Sequence, residues 1–121
     1  MQEQALPLSG KAFLFSLYIV LMFYLYILYS VSSDEYYIGY SDNVDRRLSE
    51  HNHSERTTYT SKHRPWILIK QIEISNNRGF AMKIEKAVKK SKSRILIEKI
   101  ILEINHIEEL AKLVRVPMHR D

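Results

Sequence analysis

Hydrophobic residues fall along this chain in two rhythms, and the points where one gives way to the other mark out its elements. Tyr24–Val31 and Tyr36–Tyr40 are rich in Tyr, Ile and Leu and flank a Ser-Ser-Asp-Glu turn, which predicts a β-hairpin. With a turn of even length, alternation along each strand puts Tyr26 and Tyr37 on one face. Gly39 comes where the backbone must leave the second strand, a place for close approach or an unusual dihedral. Asp42-Asn43-Val44-Asp45 opens a helix, with Ser41 or Asp42 as cap and acidic residues in the first turn. Val44 and Leu48 form its apolar stripe, Arg47 and His51 flank that stripe, and Arg46 falls one step further toward solvent.

Residues 52–64 read as a polar loop carrying Tyr59 with Arg56, Lys62 and Arg64, suited to phosphate contact as polar loops often are. Pro65 precedes a third strand, Trp66–Ile74. Asn76-Asn77 caps a second helix, Arg78–Lys90, with Ala81, Ile84 and Val88 facing inward. Ser93 caps a third, Arg94–Ile104, whose apolar runs imply burial on more than one side. Asn105 and Glu108 have the spacing of a capping box for a last helix with Ile107, Leu110, Leu113 and Val114 at core spacing. The order β-β-α-β-α-α describes a small α/β (α+β) domain.

The N-terminal third poses a choice. No side chain from Ala12 to Ser33 is charged, and a membrane helix needs about 20 such residues. A helix of that length would run through Tyr24–Ser30, the same residues that read as a strand. If they belong to the sheet, about eleven apolar residues remain, too few to span. The strand reading is the better fit, giving an apolar extension or arm over 1–21 and a domain over 22–121, with Met22 as an alternative start. A signal peptide fits poorly, because the apolar run continues into apparent core without a small-residue cleavage site.

At 121 residues the chain allows one small domain with a modest core. Its formal charge of +4 arises entirely after Ser33, since Glu3 and Lys11 cancel before it. Lys83, Lys86, Lys89, Lys90, Lys92, Arg94 and Lys99 outweigh Glu85 and Glu98 over the same stretch. Such a stripe is either a solvated helix face or the footprint of a phosphate-backbone binder. The absence of cysteine removes disulfide scaffolds and Cys-ligated zinc, in keeping with a reducing, cytoplasmic setting.

Glu85 is the most informative residue. It falls on the inward stripe four residues after Ala81, where a carboxylate is rare unless paired or bound to metal. Pairing with Arg47 or Lys89 is the plain alternative. Phosphodiester hydrolysis needs an activated water, charge stabilisation on the phosphoryl oxygens and help for the leaving oxygen. A planar guanidinium suits the non-bridging oxygens, and a tuned tyrosine or histidine can move the proton. Tyr26, Tyr37, Arg47, His51 and Glu85 supply that set from separate elements. Tyr26 lies eleven residues before Tyr37, Arg47 ten after it, and His51 four further on.

These spacings resemble the GIY-YIG endonuclease superfamily, in particular its short single-domain members. Tyr24-Leu25-Tyr26 stands where the family has Gly-Ile-Tyr, and Tyr37-Ile38-Gly39 matches the second half. The likeness, from about Tyr24 to Arg94, implies a three-stranded antiparallel sheet flanked by helices. It implies Glu85 as ligand of one Mg²⁺ or Mn²⁺, Tyr26 as general base, Tyr37 as its neighbour, Arg47 as transition-state clamp and His51 as proton relay. Tyr24 departs from the family's first glycine, and no asparagine matches the one some longer members carry late in the domain. Lys89 matches a basic position of the short members. DNA is the implied partner, recognised by shape rather than base sequence, with Arg46, Lys62, Arg64, Lys89 and Lys90 as candidate contacts. No small-molecule cofactor is expected. A non-catalytic DNA-binding module is the competing function, and a membrane-anchored protein using residues 12–31 is a third. An exposed apolar extension could also serve dimerisation.

Overall fold

The structure, a computed structural model, describes residues 21–118; most of the apolar extension expected over residues 1–21 lies outside them. β1 (Phe23–Ser30) and β2 (Glu35–Ser41) form the expected hairpin. The loop closes with Ser30 opposite Glu35, and Asp34 adopts φ 53°, a conformation aspartate tolerates better than most residues. α1 (Val44–His53) follows, then a 3₁₀ turn (Thr60–His63), β3 (Trp66–Ser75), α2 (Arg78–Ser91), α3 (Arg94–Glu103) and α4 (Ile107–Leu113). The order β-β-α-β-α-α therefore holds, with α4 as its short continuation.

β1 is the middle strand of a three-stranded antiparallel sheet ordered β2-β1-β3. Both of its faces are covered, which accounts for its nearly unbroken hydrophobic sequence. Phe23, Leu25 and Ile27 join Ile38, Ile72 and Ile74 in the main core, against Ala81, Ile84 and Val88 of α2, Ile100 of α3 and Leu110 of α4. Tyr26 and Leu28 point the other way, into a smaller cluster with Val44 and Trp66, bordered by Tyr37 and Leu48. A membrane helix through Tyr24–Ser30 is therefore ruled out. Among the described residues, no helix is long and apolar enough to cross a membrane.

Several local expectations need correction. The α1 cap is Asn43, whose side chain accepts from the Arg46 N–H, while Ser41 Oγ accepts from the Asn43 N–H one step earlier. α1 runs on to His53, and the supposed loop contains the 3₁₀ turn. α3 is buried along one side only: Ile95 and Leu102 are 81% and 80% exposed. The Asn105 capping box does not form; His106 is the cap residue of α4, and Asn105 Oδ1 accepts instead from Lys70 Nζ at 2.8 Å.

Candidate active site

The register places Tyr26 directly opposite Gly39, and Tyr37 two residues further along β2 on the same face. The expected shared face of the two tyrosines is therefore observed, with their ring centroids 6.4 Å apart. Gly39 has an ordinary φ, so its importance is steric. A Cβ there would overlap the Tyr26 phenol, lying 2.8 Å from Cε2 and nearer still to Cζ and Oη. The missing side chain is the space into which the Tyr26 ring folds.

His51, in the last turn of α1, meets Tyr26 from the helix side. The Tyr26 hydroxyl and His51 Nε2 are 3.0 Å apart, and His51 Nδ1 lies 3.0 Å from Thr60 Oγ1. A phenol is the stronger donor, so the arrangement is assigned as O–H donating to Nε2 and Nδ1–H donating to Thr60. Burial pushes the Tyr26 phenol up to about 12, against the opposing pull of the Arg47 guanidinium. Burial also pushes the His51 imidazole down to about 4, aided by Arg47 and opposed by Glu50. Both residues are thus uncharged near neutrality. Tyr37 packs against His51 with centroids 4.7 Å apart and completes an aromatic wall with Trp66.

The charged groups surround this neutral pair. Arg47 and Glu85 line, with Tyr26, Tyr37 and Gly39, a polar cavity of about 380 Å³ that runs along β2 between α1 and α2. Arg47 is paired with Glu50 on the next turn of α1. Glu85 lies at the border of the α2 stripe, its side chain 21% exposed, with Lys89 Nζ 3.5 Å from Oε2. Of the two pairings considered for Glu85, the described structure has the one with Lys89. Lys89 also sits over the Tyr37 ring, 5.5 Å from its centroid.

A single hard cation fits this donor set. The Glu85 carboxylate opens on a polar cavity large enough to keep a hydrated ion, and Mg²⁺ characteristically retains several waters on one or two carboxylates. Among the described residues no cluster of three or more His, Cys, Asp or Glu side chains could cage a metal, so Glu85 would share an ion with water and substrate oxygens.

The structure thus gathers Tyr26, Tyr37, Arg47 and Glu85 around one cavity, while His51 is hydrogen-bonded to Tyr26 and lines the neighbouring cavity instead. The five basic candidates are treated less evenly. Arg46 lines the cavity and is tied to Asp42 and Glu50 at 3.7 and 3.6 Å. Lys89 is at the cavity through Glu85, and Lys62 is exposed on the 3₁₀ turn. Arg64 is already engaged, donating from Nε to His51 O at 2.6 Å and from Nη2 to Ser54 O at 2.7 Å. Lys90 lies on another side of α2, beside Lys83, Lys86 and Arg115. Thr60, Glu50 and Arg78 were missed. Thr60 orients the imidazole, Glu50 holds Arg47, and Arg78 lines the cavity and covers the Phe23 ring at 4.9 Å. Glu50 could have been noticed from its i,i+3 spacing to Arg47; nothing in the sequence singles out the other two.

A small α+β domain with two tyrosines, a histidine, an arginine and a glutamate around one sheet edge defines a class of candidate catalytic modules. The profile of the GIY-YIG catalytic domain matches residues 22–99, and the chain belongs to that family. It is 31% identical over 88 residues to an uncharacterized protein of Acanthamoeba polyphaga mimivirus, an alignment covering 70% of this chain and 52% of the viral protein. The chain thus spans about half the length of that relative. No solved structure matches it.

Proposed function

We propose that this chain is a divalent-metal-dependent DNA endonuclease that selects its substrate by shape. The observation that carries the reading is Tyr26, buried, neutral and hydrogen-bonded to His51, lining the same polar cavity as the Arg47 guanidinium and the Glu85 carboxylate. Water attacking a phosphodiester must shed a proton. Tyr26 Oη accepts it while passing its own proton to His51 Nε2, and Thr60 keeps the ring aligned for the transfer. Tyr37 walls the pair and limits water around it. Arg47, steadied by Glu50, binds the non-bridging oxygens as charge builds on them. Glu85 would hold the Mg²⁺ or Mn²⁺ ion, which supplies Lewis acidity at the phosphate and help for the leaving oxygen.

Arg46, Lys62, Lys89 and Lys90 are proposed as phosphate contacts, and Arg64 in the same role has one guanidinium nitrogen, Nη1, left to offer. Phosphate contacts position DNA without reading its bases. A domain this small has little surface for reading base sequence, which favours recognition by shape. The test is cleavage of labelled single strand, duplex, flap, fork and four-way junction with Mg²⁺, Mn²⁺ or EDTA, using wild type and Glu85→Ala. Metal-dependent cutting abolished in Glu85→Ala is the expected result. Cutting that persists in Glu85→Ala would refute the metal assignment. DNA binding without cutting, unchanged by the substitution, would favour a non-catalytic binding module.

A further inference from the structure

Beside the catalytic cavity lies a second one, of about 500 Å³, which shares Tyr37, Arg47 and Glu50 with it and has His51 and Thr60 in its inner wall. Its outer wall is the segment after α1, contributing Arg56, Thr58 and Tyr59. This segment is firmly built. Ser61 Oγ donates to Thr58 O at 2.8 Å and accepts from the Thr58 N–H at 2.9 Å. Asn52 clasps the Trp66 backbone through both ends of its amide, at 2.7 and 3.0 Å.

On this firm support the Tyr59 ring remains 52% exposed. It rests on the His63 ring, centroids 4.6 Å apart, which meets the Trp66 indole edge-on at 6.3 Å. Its hydroxyl donates to Glu35 at the start of β2. The ring is therefore held by its back and its tip, and the rest of its surface is left to the cavity and to solvent. Arg56 has no ion pair among the described residues.

An aromatic surface does nothing for a phosphate, and a lining of hydroxyls and charges does not suit an aliphatic ligand. A flat ring with hydrogen-bonding edges meets all of these groups: it stacks on Tyr59, and it can take hydrogen bonds from Arg56 and Thr58. The cavity volume is within the range of about 300–1,000 Å³ typical of small-molecule sites. A paired base cannot enter, because its faces are covered by its neighbours.

We propose that this second cavity is a nucleobase subsite, in which Tyr59 stacks one unpaired nucleotide flanking the phosphate held between Arg47 and Glu85. The inference rests on the nuclease reading for the position of that phosphate. It narrows the substrate from irregular DNA in general to DNA with an unpaired base beside the cut.

The probe is a duplex with a single bulged 2-aminopurine, compared with a duplex in which the same base is paired. Fluorescence titrations in EDTA use wild type, Tyr59→Ala and Tyr59→Phe, and the same DNAs are then assayed for cutting in Mg²⁺. Binding should quench the bulged probe in wild type and Tyr59→Phe. Tyr59→Ala should lose the quenching and bind bulged DNA on the order of tenfold more weakly, while its affinity for paired duplex changes little. The exposed position of Tyr59 makes misfolding an unsuitable explanation, and the melting temperature of each variant checks that. An unquenched probe, or quenching that survives Tyr59→Ala, would overturn the subsite even if wild type cuts DNA. Quenching that depends on Tyr59 without any cutting would uphold the subsite and refute the nuclease reading.

Discussion

Gly39→Ala should damage the protein through Tyr26 rather than through the backbone. Gly39 does not have a positive φ, so alanine meets no dihedral penalty, and on strand propensity alone it would gain about 0.5–1 kcal/mol. The new Cβ would instead lie 2.8 Å from Tyr26 Cε2, against a comfortable carbon–carbon separation of about 3.5–4.0 Å. Tyr26 is 1% exposed and backed by Leu28, Val44 and Trp66, so it cannot retreat into the core and can yield only toward the cavity it lines, out of its present alignment. The ring has to yield by roughly an ångström, and overpacking of this kind costs about 1–3 kcal/mol. Offset by the propensity gain, the net loss is about 1–2 kcal/mol, or a fall in Tm of roughly 5–10 °C for a domain of this size. A shift of that size at the reacting groups lowers single-turnover cleavage by about 100-fold. The control is Tyr26→Leu, which removes the clashing Cζ and Oη. In that background Gly39→Ala should become neutral or stabilising. Cleavage by Gly39→Ala within about threefold of wild type would refute the reasoning, and so would an equal loss of stability in the Tyr26→Leu background.

Three further predictions concern the groups around Tyr26. His51 is pushed from 6.5 to about 4 in the folded chain, so between those values the unfolded chain binds the extra proton. Its contribution, on the order of 3 kcal/mol, is fully present above about pH 6.5 and drains away as pH falls toward 4; urea titrations of wild type should show it, His51→Gln should lose it, and equal pH slopes would count against it. Arg47→Ala should reduce turnover by about 10²–10³-fold with a much smaller change in DNA affinity, and the reverse pattern in single-turnover and binding assays would make Arg47 a docking residue. Lys89→Ala should weaken DNA binding and lower the slope of log affinity against log salt by about 1, whereas an unchanged slope would confine Lys89 to its pairing with Glu85.

What could be read from the sequence was whatever depends on local period and spacing. The hairpin was legible because its turn has four residues, Val31 to Asp34, three of them polar. The α2 stripe was legible because Ala81, Ile84 and Val88 recur at helical spacing, and all three are buried. Glu85 stood out for the same reason. Features that depend on a distant partner were not legible. Asn105 looks like a cap until Lys70 of β3 takes its side-chain oxygen. The apolar run of α3 looks buried all round, but the helix meets the core along one side, leaving Ile95 and Leu102 outside. Thr60 carries no signal among neighbouring hydroxyls until the 3₁₀ turn brings it to His51 Nδ1.

The division of labour within the site follows from what a small sheet can bury. A charge inside the Tyr26–Trp66 cluster would need a desolvated partner, a cost of several kcal/mol, in a domain whose whole stability is about 5–15 kcal/mol. The phenol and imidazole avoid that cost because each is driven toward its neutral form and satisfies the other. They can be enclosed by the sheet, where geometry is fixed most tightly. Arg47, Glu50, Glu85 and Lys89 are assigned instead to helix borders, with side chains 21–45% exposed, where water moderates their charges until a substrate displaces it. In a site arranged this way, proton transfer draws on the rigid interior and phosphate recognition on the helix rims. Substitutions at Tyr26, Gly39 and His51 should therefore affect stability and turnover together, whereas those at Arg47 and Lys89 should leave the fold nearly unchanged.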